Sequence, residues 1–297
     1  MSPASISFRS PAADRTLYRA LALCAGLVAA ILALILVYLT VASASLLVAD
    51  AEAGGGLWQT QWSPSAGVFG LLAMLVGSAA VSVLALLIAV PPGLVLAIWG
   101  RFFAPPGIGA LYRGTMGLLA SIPSVVYGFW GLVVLVPWLN RWAPPGASLL
   151  AGALILALMI LPILVLQADL ALEEARRRHL AGAMALGASV SGTVRRVLLP
   201  AAAPHLVPAV LLQLGRALGE TMAVLMVAGN VVQLPDSLAA PIRTLTANIA
   251  LEMAYASGAH QTALFASGWL LLMLVTVLML VARHLAARVS RGARDAT

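Results

Sequence analysis

Residues 215–230 read GRALGETMAVLMVAGN, an arginine and a glutamate four positions apart in a stretch otherwise apolar enough for a bilayer. A charge at mid-membrane costs on the order of 3 kcal/mol on insertion scales, so ionisable side chains there line a pathway or hold helices together. If the segment is one helix, four residues are just over one turn. Arg216 and Glu220 then project from one face and partly neutralise each other. Thr221 adds a hydroxyl that can donate to an anion or bond its own backbone. Asn230 stands where a helix terminus or an anion contact is expected.

Outward from this segment, composition makes the bilayer the main solvent. The 297 residues are 62% hydrophobic and 9% charged, with mean hydropathy +1.02, values of multi-span membrane proteins. Apolar runs at 17–48, 68–99, 116–139, 149–166, 206–232 and 263–281 are each near or above the ~18–20 residues that cross hydrocarbon. The first run exceeds the roughly 7–15-residue core of a signal peptide and is expected to stay as an anchor. Pro91, Pro92 and Gly93 are expected to end or kink the second helix. The fold class is therefore all-α, a polytopic helical membrane protein of about six transmembrane helices.

The net charge is +7. All 17 basic residues are arginine, which excludes a Walker A lysine and lysine Schiff-base chemistry. If ATP powers this chain, another subunit binds it. No basic groove with interleaved aromatics suggests nucleic acid. With the N-terminus inside, inner segments hold Arg9, Arg15, Arg19, Arg101, Arg113, Arg176, Arg177, Arg178, Arg195, Arg196, Arg283, Arg288, Arg291 and Arg294, and outer segments only Arg141 and Arg243. The positive-inside rule then places both termini in the cytoplasm, with Trp58, Trp62, Trp138 and Trp142 in an outer aromatic belt. Cys24 is alone and the four histidines lack ligand spacing, so no disulfide or metal site is expected. Nor does the chain carry an HExxH motif or a nucleophile and base at helical spacing, so no enzymatic site is expected.

Between the fourth and fifth runs lies the longest inner segment, 169–204, reading DLALEEARRRHLAGAMALGASVSGTVRRVLLPAAAP. Residues 170–186 are good helix formers, and Leu180, Ala183, Met184 and Gly187 recur to make one small apolar face. Gly187 can end that helix, Ser189 or Ser191 can cap the next, and Pro200 and Pro204 can stop it. Two short helices joined by a sharp bend are predicted. Their small-residue face either packs beneath the spans or docks into a partner's groove, with Gly182, Ala183, Gly187 and Ala188 allowing close backbone approach and Arg195 and Arg196 at the rim.

The string LAGAMALGASVSGTVRRVLLP resembles the EAA loop of ABC-importer permeases, which docks on the ATPase subunit. Gly187 matches the motif glycine, and Gly182 and Ala183 fall on the two alanine positions. The glutamate position carries Ala181, which weakens the ionic part of the expected contact. SIPSVVYGFWGL at 121–132, GRALGETMAVLMVAGN at 215–230 and IRTLTANIALEMAYASGAHQTALFASG at 242–268 are similar to segments of the membrane subunit of the phosphate-specific ABC importer, of the PstC type. The likeness covers roughly 68–281.

The resemblance implies a MetI-like permease core at 67–284 containing the coupling loop 169–204, preceded by a tail, first helix and outer loop at 1–66 and followed by a cytoplasmic tail at 285–297. It implies a bacterial inner-membrane subunit that carries inorganic phosphate, binds no cofactor, and works with a separate ATPase using ATP, a second related permease and a periplasmic phosphate-binding protein. Arg216, Glu220, Thr221, Asn230, Ser121, Ser124 and Tyr127 are then candidates for the substrate path. In this reading phosphate competes with Glu220 for Arg216. Pro123 is also a natural helix-start residue, and Ser121, Ser124 and Tyr127 are ordinary polar groups near a helix start. Carriage of another oxyanion, proton-coupled secondary anion transport, and a membrane scaffold that recruits a partner without transport are the alternatives.

Overall fold

A computed structural model describes residues 11–53 and 56–295. Helix α1 (Pro11–Ala53) leads through a two-residue hairpin, β1 (Trp62–Ser63) against β2 (Val68–Phe69), into α2 (Leu72–Phe102). There follow α3 (Pro106–Ser121), α4 (Ser124–Trp130), a π turn (Gly131–Leu135), α5 (Val136–Asn140) and α6 (Leu149–Ala185). The second half holds α7 (Val190–Thr193), a second π turn (Val194–Leu198), α8 (Leu199–Gly219), α9 (Met222–Val227), α10 (Leu245–Glu252) and α11 (Ala259–Asp295). Five described helices are long and apolar enough to cross a membrane, and a pair bent by 89° (Gly107–Ser121 and Ser124–Asn140) makes a sixth crossing if taken as one.

The core is a seam between α2 and α6. Along α2, Ala73, Gly77, Val81, Ala85, Ala89, Gly93 and Ala97 recur every four residues and are all buried. Small side chains in one row let a neighbouring helix come close, the packing that replaces hydrophobic collapse in lipid. A Cβ on Gly93 would stand 3.0 Å from Leu164, and one on Gly152 of α6 3.0 Å from Val81. Helix α2 runs through Pro91 and Pro92 unbroken to Phe102, so the expected end of that helix does not occur there.

Three further expectations are corrected. The third run breaks at Ile122, whose extended backbone (ψ 128°) follows from the steric demand of Pro123 on the residue before it. The fifth crossing begins at Val190 and ends at Gly219 rather than covering 206–232. In the inner loop, the first of the two short helices is the continuation of α6. At 37 residues, α6 is about 55 Å long against ~30 Å of hydrocarbon, and all its charged residues lie from Asp169 onward. Its apolar half crosses and its charged half projects.

The bend itself is as the residues predict. Gly187 takes the left-handed conformation (φ 79°), and the Ser189 hydroxyl accepts from the Gly192 amide at 3.2 Å. Pro200 and Pro204 do not stop the next helix. The π turn at Val194–Leu198 precedes Pro200, as the one at Gly131–Leu135 precedes Pro137, and the widened turn takes up the missing donor and the ring.

At the opposite end, the chain between α9 and α10 folds back over the start of α6. Amides of Ser148, Leu149 and Leu150 donate to carbonyls of Val227, Ala240 and Leu238 at 3.1, 2.9 and 2.9 Å, so donors orphaned at that helix start are satisfied by the end of α9 and the returning segment.

Candidate functional site

Arg216 occupies the last turn of α8, and Gly219 ends that helix. Glu220 is extended (ψ 126°), so the shared helical face expected of the two residues does not exist. Among the described residues no ion pair joins them. The Glu220 carboxylate instead accepts from the Ala223 amide at 3.2 Å and caps α9, while its carbonyl accepts from the Thr246 hydroxyl at 3.1 Å. Thr246 in turn lies 3.0 Å from the Thr244 hydroxyl. Arg216 is left exposed.

That exposure is continuous with a stripe along α8. Pro200, Pro204, Pro208, Leu212 and Arg216, four residues apart, are all exposed. Prolines at this spacing remove successive amide donors, so carbonyls along the stripe need water or another donor. A groove of about 340 Å³ beside it is lined by Gln167, Glu174, His205, Pro208 and Leu212 among others. Gln213 donates to Gln167 at 2.9 Å across α6 and α8, and its own side-chain oxygen is buried without a partner among the described residues.

The structure brings the two motif segments together. Gly128 of α4 packs on Ala223 of α9, where a Cβ would stand 2.7 Å from the Ala223 Cα, and Gly131 packs against Ile155 and Val227. Tyr127 donates to the Leu119 carbonyl at 2.9 Å and braces the bend between α3 and α4. Ser121 donates to the Leu118 carbonyl at 2.7 Å, and Ser124 is half-buried at the start of α4. Thr221 bonds locally to the Gly219 carbonyl at 3.4 Å. Asn230 adopts φ 54°, donates to the Leu225 carbonyl at 2.7 Å and receives Arg243 on its own carbonyl at 2.9 Å. It lies in the turn that follows α9.

The face of the inner bend is uncovered by the described residues. Ala181, Gly182, Gly187, Ala188, Arg195 and Arg196 are exposed and Ala183 is half-buried, and Leu186 is 90% exposed. The crook around Ser189, Gly192, Arg195 and Arg196 encloses about 700 Å³.

Two buried ionic clusters escaped the sequence reading. Near the end of α2, Arg101 grips both Asp169 oxygens, Nε to Oδ1 at 2.8 Å and Nη2 to Oδ2, and reaches Glu173 at 3.0 Å. Glu173 also receives Arg176 at 2.6 and 2.9 Å and Arg177 at 2.8 Å. The hydrogen bonds from Arg176, then those from Arg177 and the charge of Arg101, outweigh burial and hold the Glu173 carboxyl down at about 2. At the other end, Glu252 accepts from Arg243 at 2.6 Å and Trp62 at 2.9 Å, and meets His260 Nε2 at 2.8 Å. A usable signal existed: with only ten acidic residues in the chain, an acid flanked by apolar runs calls for a partner.

The chain matches the family model described as "Binding-protein-dependent transport system inner membrane component" over residues 89–291. It is 39% identical over 238 residues to the "Probable ABC transporter permease protein YqgH" of Bacillus subtilis (strain 168), covering 78% of this chain and 77% of that one. It is 33% identical over 258 residues to the "Phosphate transport system permease protein PstC" of Pasteurella multocida (strain Pm70), covering 79% and 80%. It is 34% identical over 255 residues to the protein of that name in Mesorhizobium japonicum, covering 78% of each. A chain of the MetNI methionine ABC transporter in an inward-facing conformation superposes with TM-score 0.56 at 22% identity, over 77% of this chain and 99% of that one, which shows a shared permease fold. The break after α8, the α4 to α9 contact and the uncovered inner bend thus sit in a multi-pass membrane permease, and the chain belongs to the family of binding-protein-dependent transport system inner membrane components.

Proposed function

We propose that this chain is the membrane subunit through which inorganic phosphate passes in an ATP-driven importer. The observation that carries the reading is Arg216, whose guanidinium has no carboxylate partner among the described residues at the end of α8, Glu220 being committed to α9. A guanidinium stays charged and offers a planar fork that fits phosphate oxygens. Glu220, fixed nearby by its cap, tempers that charge so that a bound anion is released. In this state phosphate meets an open arginine and need not first displace Glu220. The names of the relatives support the choice of phosphate.

The remaining parts follow from that role. Both termini lie in the cytoplasm by arginine placement. An ATPase subunit, which binds the ATP, docks on Ala181, Gly182, Ala183, Gly187 and Ala188 with Arg195 and Arg196 at its edge. A second related permease completes the path, and a periplasmic phosphate-binding protein delivers the ion. The host is a bacterial inner membrane. The test is reconstitution with these partners and ATP-dependent uptake of labelled phosphate against sulfate and molybdate. Arg216→Gln is expected to abolish uptake while the complex still assembles. Loss of assembly would make Arg216 a structural residue, and preferred uptake of sulfate or molybdate would reassign the substrate.

A further inference from the structure

Helices α6 and α8 run in opposite directions, and each turns one face to the groove between them. Gln167, Ala171 and Glu174 recur at helical spacing on α6, as His205, Pro208 and Leu212 do on α8. The bond from Gln213 to Gln167, at 2.9 Å, sets the register. Glu174 lies seven residues on from Gln167 along α6, and His205 eight back from Gln213 along α8. These two therefore stand at one level, about 11 Å nearer the bend. Arg216 lies three residues beyond Gln213, about 4.5 Å the other way.

The backbone makes this surface a wet one. Pro204 and Pro208 lie inside α8 and take away the amide donors of the carbonyls four residues before them. Such carbonyls go unmet against lipid and are hydrated in a water-filled groove. Glu174, His205 and Arg216 share the surface, and polar groups at membrane depth line cavities in preference to lipid. The volume of about 340 Å³ has room for a tetrahedral oxyanion and several waters at about 30 Å³ each.

The polar groups suit an oxyanion that still carries a proton. Gln167 spends its side-chain oxygen on Gln213 and keeps its amide hydrogens, and His205 offers an N–H in either protonation state. Glu174 gives Oε1 to Arg178 at 2.7 Å, which leaves Oε2 as an acceptor. Phosphate at neutral pH has a hydroxyl to donate to that oxygen, whereas sulfate has none and meets a bare carboxylate. We infer that the α6–α8 groove is a second oxyanion station on the bend side of Arg216, where Gln167 and His205 donate to phosphate oxygens and Glu174 accepts the phosphate hydroxyl. A site that hydrogen-bonds a substrate hydroxyl rejects an analogue without one. The inference rests on the reading of the chain as a phosphate path.

The test is thiol labelling of the assembled complex in nanodiscs, with Leu170→Cys in a Cys24→Ser background and cysteine-free partners. Leu170 lines the groove and is 70% exposed. A membrane-impermeant thiol reagent is expected to modify the new side chain, and phosphate to slow that reaction several-fold while sulfate does not. Gln167→Leu combined with His205→Leu is expected to remove the protection with Arg216 still in place. Glu174→Gln is expected to let sulfate protect as well. Absence of modification would show a dry groove, and modification that phosphate does not slow would show an empty one; either overturns the inference. Protection that survives Gln167→Leu with His205→Leu, or sulfate still without effect in Glu174→Gln, overturns the roles assigned to those residues. Phosphate uptake without protection sinks the groove alone, whereas protection in a wild-type complex that takes up no phosphate sinks the transport reading alone.

Discussion

The carboxylate of Glu220 caps the amide of Ala223 at 3.2 Å, across the break that ends α8. The same atoms thus fix the start of α9, which packs on α4 through Gly128, and leave Arg216 open. Glu220→Gln keeps an oxygen able to accept from Ala223 but removes the charge. We expect assembly to persist, with the apparent KM for phosphate and the turnover both reduced by about tenfold, the effect of ~1.4 kcal/mol of extra anion binding that must be undone for release. Initial rates of labelled uptake across phosphate concentrations check this. Turnover lost with KM unchanged would argue against tuning of Arg216.

Gly128→Ala tests the contact on which that arrangement depends. The added carbon would meet the backbone of Ala223 at 2.7 Å, and backbone cannot swing aside as a long side chain can. Overpacking of this kind costs roughly 1–3 kcal/mol. A lowered melting temperature of the purified complex with impaired uptake is expected. Gly117→Ala serves as control, since nothing lies within 4 Å of its added carbon.

Acid should loosen the charged half of α6 through Glu173. Its carboxyl is held down at about 2 in the folded chain, below the ordinary value of 4.5. Between those pH values the unfolded state binds the proton that the folded state refuses, so stability from this group is complete above the upper value and is lost as pH falls towards the lower. Because Arg176 and Arg177 are largely exposed and screened by solvent, the full effect is on the order of 1 kcal/mol. Melting temperatures of wild type and Glu173→Gln should differ most near neutrality and converge as pH is lowered towards 3. A gap independent of pH would assign the difference to packing instead of charge.

The apolar runs made the number of crossings legible, because a 20-residue hydrophobic stretch has few other uses. The bend at Gly187 and Ser189 was equally legible, since a left-handed glycine followed by a capping serine is a local signal. Arg216 and Glu220 were misplaced relative to each other, because the end of α8 at Gly219 depends on the Thr246 and Ala223 contacts that hold Glu220 extended. The prolines misled in the opposite direction: local rules stop a helix at Pro200, whereas a π turn carries α8 through it. Arg101 read as a topogenic charge because its partner Asp169 lies 68 residues away in sequence, a separation that no periodicity reports.

Glu252 supplies the last test, at the end of the molecule opposite the bend. Its two oxygens meet Arg243, Trp62 and His260, tying the β1–β2 hairpin, the strand returning from α9 and the start of α11 to one carboxylate. The residue is 8% exposed. Glu252→Ala leaves the Arg243 guanidinium, itself mostly buried, with only Asn248 and the Asn230 carbonyl, and breaking one side of such a pair costs about 3–5 kcal/mol. Glu252→Gln keeps one acceptor for Arg243 or Trp62 and should cost less. The expected readout is protease cleavage within 230–241, rising from wild type to Gln to Ala, with the inner bend equally protected in all three. Equal cleavage in wild type and Ala would mean that the backbone bonds from Leu149 and Leu150 hold the returning strand without the carboxylate.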